Sequence, residues 1–231
     1  MKLIGVSGLA RSGKDLFTTV AQNVLEEKGL KTERFALAYE LKFDLKDLIY
    51  KKTGIDVFTE NTEEKTIIRP LLVAYGDVMR KISGGRYWTQ KMEQRVGKSK
   101  ADVVFITDIR YDHYPEDECT WLQYKQAGKL IHITRFKYDT SSKRKKKVYD
   151  LPPNEHESIN NPKVKNRADY SFEWEDYSEK YTTKEQIVEC PYIIENVNTA
   201  LTSIGVLSSN SIKDYGVIPQ FDKRLRRKSR K

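Results

Sequence analysis

Apolar and polar positions along this chain follow two rhythms, and the changes between them mark out the elements. Lys2 to Ser7 (KLIGVS) is a short apolar run with a glycine-rich turn behind it, the mark of a buried strand. From Lys14 to Lys28 the apolar residues Leu16, Phe17, Val20, Ala21, Val24 and Leu25 fall at helical spacing, and Gly29 supplies a stop. Thr32 to Leu37 (TERFAL) alternates as a second strand. Leu41, Leu45, Leu48 and Ile49 then form one stripe of a helix over Tyr39 to Thr53, closed by Gly54.

Asp56 to Lys65 is polar and turn-rich and reads as a loop or lid-like excursion. Ile67 to Ile82 resumes a helical pattern, with Pro70 at a helix start or kink, and Tyr87 to Val96 gives a further short helix. Ala101 to Thr107 (ADVVFIT) is almost wholly apolar, as a central parallel strand should be, and ends in Asp108-Ile109-Arg110. Glu116 to Ala127 reads as a helix closed by Gly128, and Lys129 to Thr134 (KLIHIT) as the next strand. Such βα units in series predict an α/β domain with a mostly parallel sheet. Phe136 to Arg167 breaks the rhythm and reads as a mobile lid or inserted loop. Tyr170 to Trp174 follows as a final strand and Ile187 to Leu207 as a closing helix around Pro191. Beyond Ser208 the pattern is lost, so the expected domain is 1–207, followed by a basic, disordered tail, 208–231.

At 231 residues the chain has the length of one domain. No apolar run approaches the roughly 18 to 20 residues of a membrane span, and the start, MKLIGVSGLA, is not signal-like; the expectation is a soluble, cytoplasmic protein with no membrane partner. Cys119 and Cys190 are far apart, with no CxxC or neighbouring His, which suits a reducing compartment. The net charge of +9 first suggests a polyanion such as nucleic acid. Yet Lys143 to Lys147 (KRKKK) holds +5 and Asp222 to Lys231 holds +6, so the other 216 residues carry −2. No specific nucleic-acid partner is expected from such a map.

The segment with chemistry is Gly8-Leu9-Ala10-Arg11-Ser12-Gly13-Lys14-Asp15, which satisfies GxxxxGK between a strand and a helix. Glycines let successive N–H groups turn toward phosphate oxygens, the helix N-terminus adds partial positive charge, and Lys14 neutralises the β and γ phosphates. The bland alternative is an ordinary turn capped by Ser12 and Asp15. Asp15 replaces the usual Ser or Thr. It either ligates Mg²⁺, directly or through water, or merely complements the helix dipole.

The GLARSGKD loop resembles the GxxRSGKD loop of the bacteriophage deoxynucleoside monophosphate kinases, a branch of the P-loop nucleoside monophosphate kinases. Three later segments are similar in the same order: Phe35 to Lys46 (FALAYELKFDLK), Arg69 to Met92 with its Tyr-Trp dipeptide, and Val103 to His113 (VVFITDIRYDH). The resemblance covers about 1–135 and fades beyond. It implies a three-layer α/β/α P-loop kinase with a monophosphate-binding helical region at about 38–96 and a lid at about 136–167. It also implies a homodimer, and the host cytoplasm for a phage-encoded chain. ATP phosphates would lie on Gly8, Arg11, Ser12, Gly13, Lys14, Asp15 and Leu16, with Mg²⁺ at Asp15 and Asp108. The monophosphate would lie near Leu37, Lys42, Arg69, Gly76, Asp77, Trp88, Asp108, Arg110 and Glu116. Lys14, Arg11, Arg110 and Arg135 would stabilise the transferring phosphoryl group.

Physical roles agree with that assignment: Arg69 and Arg110 can grip a phosphate with guanidinium forks, and Trp88 or Tyr87 can stack on a base. Plain readings stand beside them. Arg69 pairs with Glu64 on a helix surface, Trp88 is core, Asp108 and Arg110 pair with each other, His113 is a surface residue and His132 is structural. The family's Glu, four residues after the D-x-R arginine, is here Tyr114; a short insertion would move the role to Glu116. Phosphoryl transfer to an already ionised monophosphate needs no general base, in keeping with a sequence that shows no Ser/His/Asp or Cys/His set. The rival readings are another small-molecule P-loop kinase, of dephospho-coenzyme A or phosphomevalonate type, and a nucleic-acid-linked P-loop ATPase.

Overall fold

A computed structural model of the chain describes residues 1–139, 141, 145–177, 181 and 183–208. Strand β1 (Lys2–Ser7) is buried from Leu3 onward, and its side chains alternate between two cores, Ile4 and Val6 in one and Leu3 in the other. A strand covered on both faces belongs in the middle of a parallel sheet. There it lies, between β3 (Val103–Ile109) and β4 (Lys129–Asp139), with β2 (Thr32–Ala36) beyond β3 and β6 (Tyr170–Glu175) beyond β4, all parallel. The α/β class and mostly parallel sheet expected from the sequence are thus present.

Helices α1 (Lys14–Glu26) and α8 (Pro191–Ser203) close one face around Phe17, Val20, Leu25, Val197 and Leu201. On the other face α4 (Arg86–Val96) packs Trp88 and Met92 against Val104 and Ile106 of β3. Helices α2 (Leu37–Thr53) and α3 (Thr62–Ser83) pack on α4 and on each other, enclosing a small third core of Leu45, Ile49, Val57 and Ile68. No described helix is long and apolar enough to cross a membrane.

Four boundaries differ from the sequence reading, each for a physical reason. Helix α3 starts at Thr62, because the Asn61 side chain accepts the N–H groups of Glu63 (2.8 Å) and Glu64 (3.4 Å) and turns a polar stretch into a capped first turn. Pro70 therefore lies inside the helix; Thr66 and Pro70 are both exposed, which leaves the unpaired carbonyl of Thr66 within reach of water. The helix expected over Glu116 to Ala127 is the short α5 (Glu118–Thr120) running into a π-helical turn, Trp121–Lys125. The closing helix is split into α7 (Lys184–Val188) and α8, with Pro191 opening the second.

The fourth difference is the largest. The segment expected as a loop carries the extension of β4 to Asp139, an antiparallel partner β5 (Lys146–Tyr149), and helix α6 (Glu155–Arg167). Every residue of β5 is exposed, and α6 buries only Asn160 and Val164, so neither leaves an apolar period in the sequence. Phe136 pairs with Tyr149 on one side and Glu175 on the other, so β5 takes the edge of β4 that β1 occupies lower down. Lys143 and Arg144 of the basic run, and the tail from residue 209, lie outside the described residues.

Candidate active site

The loop between β1 and α1 is shaped by three residues with positive φ: Gly8 (139°), Arg11 (65°) and Gly13 (91°). A Cβ on Gly8 would lie 2.3 Å from the carbonyl oxygen of Ile133, and one on Gly13 would lie 2.4 Å from the ring of Trp174. Glycine is required at both by space as well as by φ. Trp174 also donates its Nε1–H to the carbonyl of Ser12 (2.9 Å), so the end of β6 fastens the loop from behind. The sequence reading treated Trp174 only as a strand residue.

Lys14 is buried and folds back over the loop, donating from Nζ to the carbonyls of Gly8 (3.0 Å) and Leu9 (2.8 Å). Burial lowers its pKa, and the negative charge of Asp108 works against that shift. The Ser12 hydroxyl is buried with no partner among the described residues. Arg11 is exposed and without a partner among them, Asp15 pairs with Arg34 of β2, and Leu16 packs against the first core.

β3 delivers the opposing charges. The parallel register of β1 and β3 runs evenly to Val6 and Thr107, then slips so that Ser7 faces Ile109. Asp108 is the residue left over, at φ 65°, and such a bulge turns its side chain out of the strand's alternation. Its Oδ1 accepts from Arg110 Nη2 (3.2 Å). Burial would raise the Asp108 pKa, but Arg110 and Lys14 outweigh it and hold the carboxyl below its ordinary value. For Arg110, burial lowers the pKa and the carboxylates of Asp108 and Glu157 more than restore it, so it stays charged.

Glu157, from α6, completes the arrangement. One carboxylate oxygen accepts the backbone N–H of Ala10 (2.9 Å) and the other accepts from Arg110 Nη1 (2.9 Å), with the side chain 10% exposed. An anion therefore sits between a loop amide and a guanidinium, with Lys14 close enough to feel its charge. The sequence marked Glu157 only as part of a His156-Glu157-Ser158 stretch similar to the resembled family, and gave it no role.

Beside this point lies a cavity of about 340 Å³ lined by Asp77 and Arg80 of α3, Tyr111 and His113 of the loop after β3, and His156 and Lys163 of α6, among others. His113 thus lines a cavity where a plain surface position was the expectation. Of the expected substrate residues, Asp77 reaches this cavity and pairs with His156 (3.3 Å). Lys42 is half-buried and feels the charge of Asp108; burial and then Lys65 lower its pKa. Leu37 is buried at the start of α2. Arg69 is exposed with no partner among the described residues, so the expected pair with Glu64, which is bonded to Thr59, is not formed. Gly76 and Trp88 meet inside: the indole Nε1–H donates to the Gly76 carbonyl (3.3 Å), and Trp88 is 4% exposed against Tyr75 and Tyr87. Glu116 pairs with Lys125. Arg135 is bound to Asp150 (2.7 Å) and Asp176 (3.3 Å). His132 is buried in β4 and bonded to Asn161, and burial lowers its pKa.

No family model and no curated protein matches the chain. Similar solved structures include shikimate kinase from Aquifex aeolicus, at 12% identity and a TM-score of 0.34, covering 85% of this chain and 98% of that one. Shikimate kinase from Bacteroides thetaiotaomicron is similar at 12% identity and 0.38, covering 89% and 99%. A sugar kinase from Janibacter is similar at 12% and 0.33, covering 89% and 96%. Likeness this distant does not bear on what the chain acts on.

The chemistry available is that of an anion site. A loop amide, Lys14 and Arg110 offer donors and positive charge to an anion. Asp15 and Asp108 are oxygen donors of the kind Mg²⁺ takes, and both act on Lys14. Among the described residues no three His, Cys, Asp or Glu are grouped to hold an ion unaided, so Mg²⁺ here would draw its remaining ligands from phosphate and water.

Proposed function

We propose that the chain transfers the γ-phosphoryl group of Mg-ATP to a deoxynucleoside monophosphate, giving ADP and a deoxynucleoside diphosphate for DNA precursor synthesis. The observation that carries the phosphotransfer reading is the carboxylate of Glu157, held by the Ala10 amide and the Arg110 guanidinium beside Lys14. Donors that grip a carboxylate in this way grip a phosphate oxygen by the same bonds. The choice of acceptor rests on the ordered motifs of the sequence, and the aromatic and cationic lining of the adjoining cavity suits a nucleotide.

Within this reading Lys14 and Arg110 neutralise the phosphoryl group in flight, and Arg11, free of partners among the described residues, reaches a phosphate of donor or acceptor. Arg135 joins them only after leaving Asp150 and Asp176. Bound Mg²⁺ would supply further neutralisation of the phosphates. Helix α6, whose Glu157 lies over the loop and whose His156 and Lys163 line the cavity, is the part that excludes water. A coupled assay across eight ribo- and deoxynucleoside monophosphates tests the proposal, with shikimate, a sugar, dephospho-coenzyme A and phosphomevalonate as rival acceptors. Intact ATP binding with no deoxynucleoside monophosphate phosphorylated would sink it. Sedimentation at assay concentration checks the homodimer that goes with it.

A further inference from the structure

The loop from Arg110 to Tyr114 supplies both the guanidinium at the phosphate loop and one wall of the cavity, yet it has no regular structure of its own. Two adjacent buried carboxylates shape it from below. Glu118 Oε2 accepts the N–H groups of Arg110 (2.5 Å) and Tyr111 (3.1 Å). Asp117 Oδ2 accepts those of His113 and Tyr114, each at 2.9 Å, and Asp117 is in turn gripped by Arg80 at 3.1 and 2.7 Å. The Arg80 guanidinium lies 3.3 Å from the Tyr111 ring centroid. Four backbone donors are thereby drawn inward, which leaves the side chains of Tyr111 and His113 to line the cavity and that of Arg110 to line a smaller opening beside Gly8 and Glu157. Asp117 is fixed by Arg80, but among the described residues Glu118 has no ion-pair partner at bonding distance, and its side-chain bonds there are those two amides.

We propose that Glu118 is a positioning residue for the reaction: its carboxylate, acting through the backbone of Arg110 and Tyr111, sets the guanidinium and the aromatic wall that receive the acceptor. The role in turnover rests on the phosphotransfer reading above; the role in loop geometry does not. Glu118 is buried among Arg80 of α3, its neighbours Asp117 and Cys119, and Arg110 and Tyr111 of the loop. Burial, only partly opposed by Arg80, pushes its carboxyl up to about 7. Near neutrality it therefore exchanges between a carboxylate, which takes both amides strongly, and a neutral acid, which takes them weakly.

The test is Glu118→Gln in the full chain, which keeps an oxygen acceptor but removes the charge. ATP binding by calorimetry should match wild type, while KM for the acceptor (dAMP, dGMP, dCMP and dTMP, each assayed) rises about tenfold with a smaller change in kcat. The acid limb of wild-type kcat/KM near pH 7 should be absent from the variant. Unchanged acceptor KM and an unchanged pH profile would overturn the proposal. Loop geometry is read without turnover, from the backbone amide resonances of Arg110 and Tyr111 and the near-ultraviolet signal of the tyrosines, which should shift in the variant. In wild type the same signals should titrate between pH 6 and 8, a measurement that stands even if the variant does not fold. Signals that neither shift nor titrate defeat the proposal whether or not the chain proves to be a kinase.

Discussion

Arg80 is 4% exposed and Asp117 fully buried, and the two are joined by bonds of 3.1 and 2.7 Å. A buried pair is weak evidence of net stabilisation, but breaking one strands a charge. Asp117→Ala should therefore destabilise the fold by about 3 to 5 kcal/mol in denaturant titration, and a loss below 1 kcal/mol would contradict the described network. Glu118 gives a prediction of opposite character. Its folded pKa is raised above 4.5, so its contribution favours the folded state below about pH 4.5 and is lost as pH rises through about 7. Thermal midpoints between pH 5 and 8 should fall more steeply for wild type than for Glu118→Gln; parallel curves would refute the assignment. At this scale the sequence disclosed Lys14, Asp108 and Arg110, because motif spacing and strand ends announce them. Asp117 and Trp174 stayed hidden, and Glu118 and Glu157 were given no such role, because each bonds groups that only the fold brings to it, the 110–114 loop for Asp117 and Glu118 and the β1–α1 loop for Glu157 and Trp174.

Among the elements, those buried on a stripe or on both faces were legible as periods, from β1 and α1 through β3 and α4 to β6. Helix α6 was not, since it is held by polar contacts: Asn154 caps it, His132 meets Asn161, and Asp77 meets His156. An element so held is one that binding can displace. Its Glu157 occupies the Ala10 amide that an ATP phosphate would need, so nucleotide binding must expel the carboxylate. Glu157→Ala removes that competition and should tighten ATP binding several-fold by calorimetry, at some cost in stability from the Arg110 charge left exposed to Asp108 alone. Weaker ATP binding in the variant would mean that Glu157 serves the bound state and not the empty one.

At the scale of the whole molecule, charge and cleft part company. The +9 of the chain is carried by Lys143 to Lys147 and Asp222 to Lys231, and what remains is −2. Against that slightly acidic body the cleft gathers Lys14 and Arg110, with Arg34 and Lys42 close enough to act on Asp108. A small polyanion entering the cleft meets positive charge at close range, where screening is weak, while a long one can also meet the dense charge of residues 222–231, an attraction that falls steeply with salt. The two kinds of binding should therefore separate. Deleting residues 222–231 should abolish retention on duplex DNA at low salt and leave the KM for ATP unchanged. Duplex DNA added to the full chain should neither compete with ATP nor accelerate its hydrolysis. DNA-stimulated hydrolysis that disappears with the same deletion would instead make the basic terminus part of the working protein and favour a nucleic-acid-linked ATPase over a nucleotide kinase.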